Sequence, residues 1–193
     1  MNAFNDYLKF YEFSSEEHLF QNVSGSFRRN GCLSAEEFFA VIIWKSNRSK
    51  TRIRDGILRT GKSVEETTRG MHQHAAAGEK VKKLLDIDGI GIPVASAILT
   101  VCYPDQFTVV DYRARAAIEK LWPAKSKTVA PVPTQYIKGY LRYVAVCQQI
   151  ANEQGMCLRD VDRALWGCDF CEGKNGLKAL VASVETSRPI GSA

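Results

Sequence analysis

Leu84-Leu85-Asp86-Ile87-Asp88-Gly89-Ile90-Gly91-Ile92-Pro93-Val94-Ala95-Ser96-Ala97-Ile98-Leu99 is the stretch that decides how this chain folds. It reads as two helices joined by a hairpin. Gly89 and Gly91 permit a tight turn and let the backbone approach another surface closely. Pro93 suits the first turn of the second helix, which is predicted over Val94–Tyr103. Ala95 is small, so the two helices can pack closely. The N–H groups from about Gly91 to Val94 have no helical partner, and the positive end of the helix dipole lies behind them. Such a terminus is an anion site suited to a DNA phosphate.

Helical signals continue on both sides of the hairpin. Ser34-Ala35-Glu36-Glu37 is a capping box. It opens a helix carrying Phe38, Phe39, Val41, Ile42, Ile43 and Trp44, apolar nearly all round and therefore expected to be central. Ser63-Val64-Glu65-Glu66 repeats the box and predicts a helix to about Ala77, followed by a short one over Glu79–Leu85. Downstream, helices are predicted over Tyr112–Leu121, Thr134–Glu153, Arg159–Trp166 and Leu177–Val184. Pro123–Pro133 reads as a polar loop, and the residues from Glu185 as tail. Phe107–Val110 alone is strand-like, too short to found a sheet. The fold class is therefore mainly α.

The chain has 193 residues, with 26 Lys+Arg against 21 Asp+Glu and a net charge of +5. At 45% hydrophobic and 24% charged it is neither disordered, fibrous nor a disulfide miniprotein. The positive excess is local. Lys45, Arg48, Lys50, Arg52, Arg54, Arg59 and Lys62 are accompanied by one acid, Asp55, and the remainder of the chain sums to −1. A short basic segment of this kind suits a polyanionic partner. The N-terminus has no signal-peptide pattern, and no apolar run reaches the ~18 residues of a membrane span. The chain is expected to be cytoplasmic, with no membrane partner. Its six cysteines read as thiols. Cys168 and Cys171 have metal-ligand spacing, but with Cys157 and Cys147 upstream they match no zinc-finger or iron–sulfur pattern. His72 and His74, at i,i+2, do not share a helix face.

Residues 84–111 resemble the helix-hairpin-helix DNA glycosylase superfamily. The helix ending at Tyr103, the loop Pro104-Asp105-Gln106-Phe107-Thr108-Val109-Val110 and then Asp111 match that superfamily's order and spacing. Arg159-Asp160-Val161-Asp162-Arg163-Ala164-Leu165-Trp166 also resembles a segment of bacterial relatives. The resemblance implies two helical lobes with a cleft between them. A core lobe would span 34–145, a second lobe 1–33 plus 146–185, and a tail 186–193. It implies a monomer acting on double-stranded DNA, nucleoid-associated, with Asp111 as the catalytic carboxylate. Cleaving an N-glycosidic bond builds positive charge on the deoxyribose, and a fixed carboxylate near C1′ stabilises it. Asp111 also suits the N-cap of the Tyr112 helix, and the two roles are compatible.

The resemblance also assigns contacts. Gly89, Gly91 and Val94 would grip phosphate, helped by Lys45, Arg48, Lys50, Arg52 and Arg113. Trp44, Asn47 and Tyr112 would line the base pocket or fill the gap left by a flipped base. The backbone carbonyls of Leu85, Ile87 and Ile90 would hold a monovalent cation, with no other cofactor required and no iron–sulfur cluster. Superfamily members that also nick the strand carry a hairpin Lys two residues after the second Gly. Here that position is Pro93, which implies a monofunctional enzyme without a β-lyase step. Its substrates would be damaged, mispaired or modified bases, including hypermodified bases of phage DNA in an antiviral role. The competing readings are a non-catalytic helix-hairpin-helix DNA-binding module and a metal-linked interaction domain using Cys157, Cys168 and Cys171.

Overall fold

The structure, a computed structural model, describes residues 4–14, 16–129 and 136–186. It is mainly helical, and the described residues contain no strand. Ten α-helices follow a 3-10 turn at Asn5–Phe10 and a π-helical turn at Leu19–Val23. They are α1 (Ser24–Asn30), α2 (Ala35–Ser46), α3 (Lys50–Thr60), α4 (Val64–Gln73), α5 (Ala77–Leu85), α6 (Ile92–Cys102), α7 (Tyr112–Leu121), α8 (Pro123–Val129), α9 (Ile137–Gln154) and α10 (Leu158–Thr186). Both capping boxes form. The Ser34 and Ser63 hydroxyls accept the Glu37 and Glu66 N–H groups, and each glutamate accepts its serine's N–H in return.

The central helix is α6 rather than α2. Ile92 and every residue from Val94 to Cys102 are buried, because α1, α2 and α5 surround the helix. Its small residues Ala95, Ser96 and Ala97 allow that approach. The Ser96 and Thr100 hydroxyls donate to carbonyls one turn back, Pro93 O at 2.9 Å and Ser96 O at 2.7 Å, so their burial leaves no unpaired donor. On α2, by contrast, Phe38, Val41 and Ile42 are buried, while Ile43 is 49% exposed.

The turn between α5 and α6 is clamped onto α3. Gly89 has φ +93°, a region that favours glycine. Arg52 and Arg59 of α3 reach the two oxygens of Asp88 at 2.8 and 2.5 Å. The Arg52 hydrogen bond holds the Asp88 carboxyl below its usual range. Gly56 lies directly under Asp88, where a Cβ would sit 2.0 Å from the Asp88 carbonyl oxygen.

Several predicted boundaries are corrected. The second capped helix ends at Gln73, not Ala77, because buried Lys80 donates to the His72 carbonyl at 3.2 Å and His74 turns to extended backbone. Pro123 begins a helix instead of a loop. It stands at the first helical position, and Trp122 O accepts the Ser126 N–H at 3.0 Å. The two helices predicted beyond 158 are one, α10, which lies along the N-terminal turn and α7. Gly167 is where α10 touches that turn: a Cβ there would lie 2.2 Å from Tyr7 O. Phe107–Val110 has no regular structure and pairs with no strand among the described residues. Residues 130–135 and 187–193, and with them the predicted start at Thr134, the end of the loop and most of the tail, lie outside the described residues.

The buried apolar side chains form one continuous cluster. Residues 19–30 pack on α2 and α6, whereas the turn at Asn5–Phe10 packs on α10. Among the described residues no helix is long and apolar enough to cross a membrane.

Candidate functional site

Asp111 is positioned by three helices. The buried segment Phe107–Val110 runs between α6 and α9 and is bonded to both. On the α9 side, the hydroxyls of fully buried Tyr140 and Tyr143 donate to the carbonyls of Thr108 and Val109, each at 3.1 Å. On the α6 side, Ser96 Oγ accepts the Val110 N–H at 3.1 Å. Side-chain hydroxyls thus satisfy three of the segment's backbone groups, and the Phe107 N–H bonds to Tyr103 O at 3.1 Å. Its next residue, Asp111, caps α7: Oδ1 accepts the Ala114 N–H at 3.0 Å. Oδ2 faces Lys45 Nζ, at the end of α2, at 3.4 Å. Both side chains are largely shielded, at 14% exposure for Lys45 and 25% for Asp111.

This ion pair lines a partly open cavity of about 170 Å³. An apolar cavity of ~150 Å³ accommodates a benzene ring, so the space is on the scale of one planar ring. Three aromatic side chains, Tyr11, Trp44 and Trp166, line it together with Val109 and four charged ones, Lys45, Asp111, Arg159 and Asp162. A flat ligand of this size would meet both the aromatic walls and the Asp111 carboxylate.

A buried ionic network shares Tyr11, Arg159 and Asp162 with the cavity lining. The Arg159 guanidinium pairs with Glu16 and Asp162, donates to Tyr11 Oη at 2.9 Å and lies 4.8 Å from the Phe20 ring centroid and 5.4 Å from that of Trp44. Tyr11 in turn donates to Glu16 at 2.7 Å, and Arg163 pairs with Glu16 at 2.5 Å. Every donor of the network is held except Arg159 Nε, which is buried without a hydrogen-bond partner among the described residues, and removing one member is costly. The network fixes the rings of Tyr11 and Trp44 at the cavity.

Burial raises the Asp162 carboxyl from its ordinary 3.8 to about 6, against the opposing pull of Arg159. Between those values the native protein holds a proton that the unfolded chain has lost. This contribution to stability is present below about pH 4 and fades as pH rises to 6. Asp162→Asn is therefore expected to remove a fall of order 1–3 kcal/mol across that window. Denaturant unfolding at pH 4–7 checks this; parallel curves for the two proteins would refute it.

The predicted site residues divide into two groups. Trp44, Lys45 and Asp111 converge on the cavity. The remaining pocket candidates do not line it. Asn47 is exposed and accepts Lys50 Nζ at 2.8 Å. Tyr112 is 72% exposed and accepts Arg113 Nε at 2.9 Å. Arg113 stacks on Trp166, with its guanidinium carbon 5.1 Å from the ring centroid, and pairs with Asp169 at 3.6 Å.

At the hairpin, Val94 is buried and its N–H bonds to Gly91 O at 3.0 Å, so it is not a free donor. Ile87 O accepts the Ile90 N–H at 3.1 Å. Within the basic run, Lys45, Arg52, Arg54 and Arg59 are ion-paired with Asp111, Asp88, Asp55 and Asp88. Arg48, Lys50 and Lys62 are exposed and have no ion pair among the described residues.

Tyr11, Arg159, Asp162 and Trp166 did not emerge as site residues from the sequence. The last three recur at i, i+3 and i+7, which is one helix face, so their spacing held the signal. His72 stacks on Tyr103, with Nδ1 2.8 Å from the Tyr103 hydroxyl. Among the described residues no three His, Cys, Asp or Glu side chains are grouped to hold a metal. Comparison with known protein families, curated proteins and solved structures yields no match to this chain.

Proposed function

We propose that this chain is a DNA glycosylase of helix-hairpin-helix type, which hydrolyses the N-glycosidic bond of a base flipped out of duplex DNA and leaves an abasic site. The observation that carries the reading is Asp111, capped through Oδ1 and presenting Oδ2 beside Lys45 at the edge of a ring-sized aromatic cavity. In this reading the base stacks against Trp44, Tyr11 or Trp166, and the sugar comes to rest at Asp111. The carboxylate offsets the charge developing at C1′ and orients the attacking water. In this reading the cavity would lie in a cleft between two helical lobes, with DNA crossing the N–H of exposed Gly91 and the side chains of Arg48 and Lys50. Arg52 serves the hairpin through Asp88 rather than the DNA directly. The carbonyls of Leu85, Ile87 and Ile90 are a neutral oxygen donor set of the kind a monovalent cation takes, and Ile87 O retains one lone pair. Such a cation would add positive charge at the phosphate grip.

The test is incubation with duplexes carrying alkylated, oxidised, mispaired and hypermodified bases, with mass spectrometry of the supernatant. At least one free base is expected. Binding of every duplex without release of any base would leave the chain a DNA-binding module and overturn the proposal.

A further inference from the structure

Lys45 sits in the same cavity as Asp111, with its amine nitrogen 3.4 Å from the carboxylate. Loss of a base converts C1′ of the deoxyribose to an aldehyde in the sugar's open form. A sugar placed against Asp111 puts that carbon within reach of any amine bonded to the same carboxylate. No such amine comes from the hairpin, where Pro93, in the first turn of α6, is exposed and carries no side-chain amine. The amine comes instead from the end of α2, brought in by tertiary packing.

We propose that Lys45 captures the abasic product as an imine and cuts the strand by β-elimination. The chain is then an abasic-site lyase as well as a glycosylase, and the inference rests on the glycosylase reading for its substrate. The ammonium first gives a proton to Asp111, and the neutral amine adds to C1′, forming a C–N bond. A proton then passes from the new ammonium nitrogen to the carbinolamine oxygen, the proton held by Asp111 follows it, and the oxygen leaves as water to yield the protonated imine. The Asp111 carboxylate then removes a C2′ proton, the C3′–O bond breaks, and its electron pair departs with the phosphate. Ammonium and aldehyde give iminium and water, and no oxidant or reductant is consumed.

The test uses the full chain and a duplex with one preformed abasic site, so it does not depend on which base is excised. With sodium borohydride present, a covalent protein–DNA adduct is expected, with the modified peptide mapping to Lys45. Without borohydride, the abasic strand is nicked. Lys45→Arg keeps a cation beside Asp111 and is expected to retain the wild-type melting temperature while losing both adduct and nicking. No adduct, an adduct on another amine, or undiminished nicking by Lys45→Arg overturns the proposal. Base release without an adduct overturns this inference alone. An adduct at Lys45 with no base released from any duplex overturns the glycosylase reading and leaves a lyase.

Discussion

Asp111→Asn is expected to slow base release by at least about 100-fold, the usual loss when one preorganised electrostatic group is removed. Three features make this substitution informative. Asparagine caps a helix about as well as aspartate, so the bond from the Ala114 N–H survives and α7 begins at the same residue. The negative charge beside Lys45 disappears, and with it the stabilisation of positive charge on the sugar. The ion pair itself is long, at 3.4 Å, and neither side chain is fully buried, so its loss changes stability by about 1 kcal/mol. The variant is therefore expected to melt close to wild type, to bind duplex DNA, and to release base at or near background. Release at the wild-type rate would remove Asp111 from the chemistry and return the chain to a binding role.

The second large effect lies in the fold. Gly56→Ala is expected to cost about 3 kcal/mol, the upper part of the usual range for overpacking, and to lower the melting temperature by roughly 6–12 °C. The new methyl group would meet the Asp88 carbonyl oxygen at 2.0 Å, and that atom is backbone, so no side chain can swing away. Relief requires the 86–91 turn to lift from α3, which also strains the Arg52 and Arg59 pairs to Asp88. In a DNA-binding assay the same variant should lose affinity, because the turn that carries Gly91 is displaced. Gly70→Ala is the control. Gly70 lies in α4 with nothing within 4 Å of the added Cβ, so alanine there should stabilise by about 0.4–1 kcal/mol. Equal melting temperatures for Gly56→Ala and Gly70→Ala would show that the turn is not held against α3.

Much of the local structure was legible in the sequence because its causes are local. Each capping box names its own first turn, and both form. Tyr112–Leu121 is helical over the predicted residues, because Asp111 caps one end and Trp122-Pro123 closes the other. Reading failed where a residue has two roles and packing chooses between them. Pro123 ends one helix and starts the next. Two helices are predicted at 159–166 and 177–184, yet one helix runs through both, and its Gly167 lies against the Tyr7 carbonyl. Phe107–Val110 has strand composition, but three of its backbone groups bond to the hydroxyls of Tyr140, Tyr143 and Ser96 and none to a strand. The apolar face of α2 gave no indication that Ile43 would remain in water.

The candidate site divides along the same line. By itself the sequence determined a mainly helical chain, a glycine turn between two helices, and a carboxylate held at the start of a third. These follow from spacing within a few residues, where hydrogen-bond geometry leaves little choice. Only the tertiary structure decided what faces that carboxylate. Lys45, 66 residues away on α2, is one neighbour. Arg159, paired with Glu16 across 143 residues, fixes the aromatic wall. Contacts at such separations arise from how whole helices bury their faces against one another, and no local pattern in the chain specifies them.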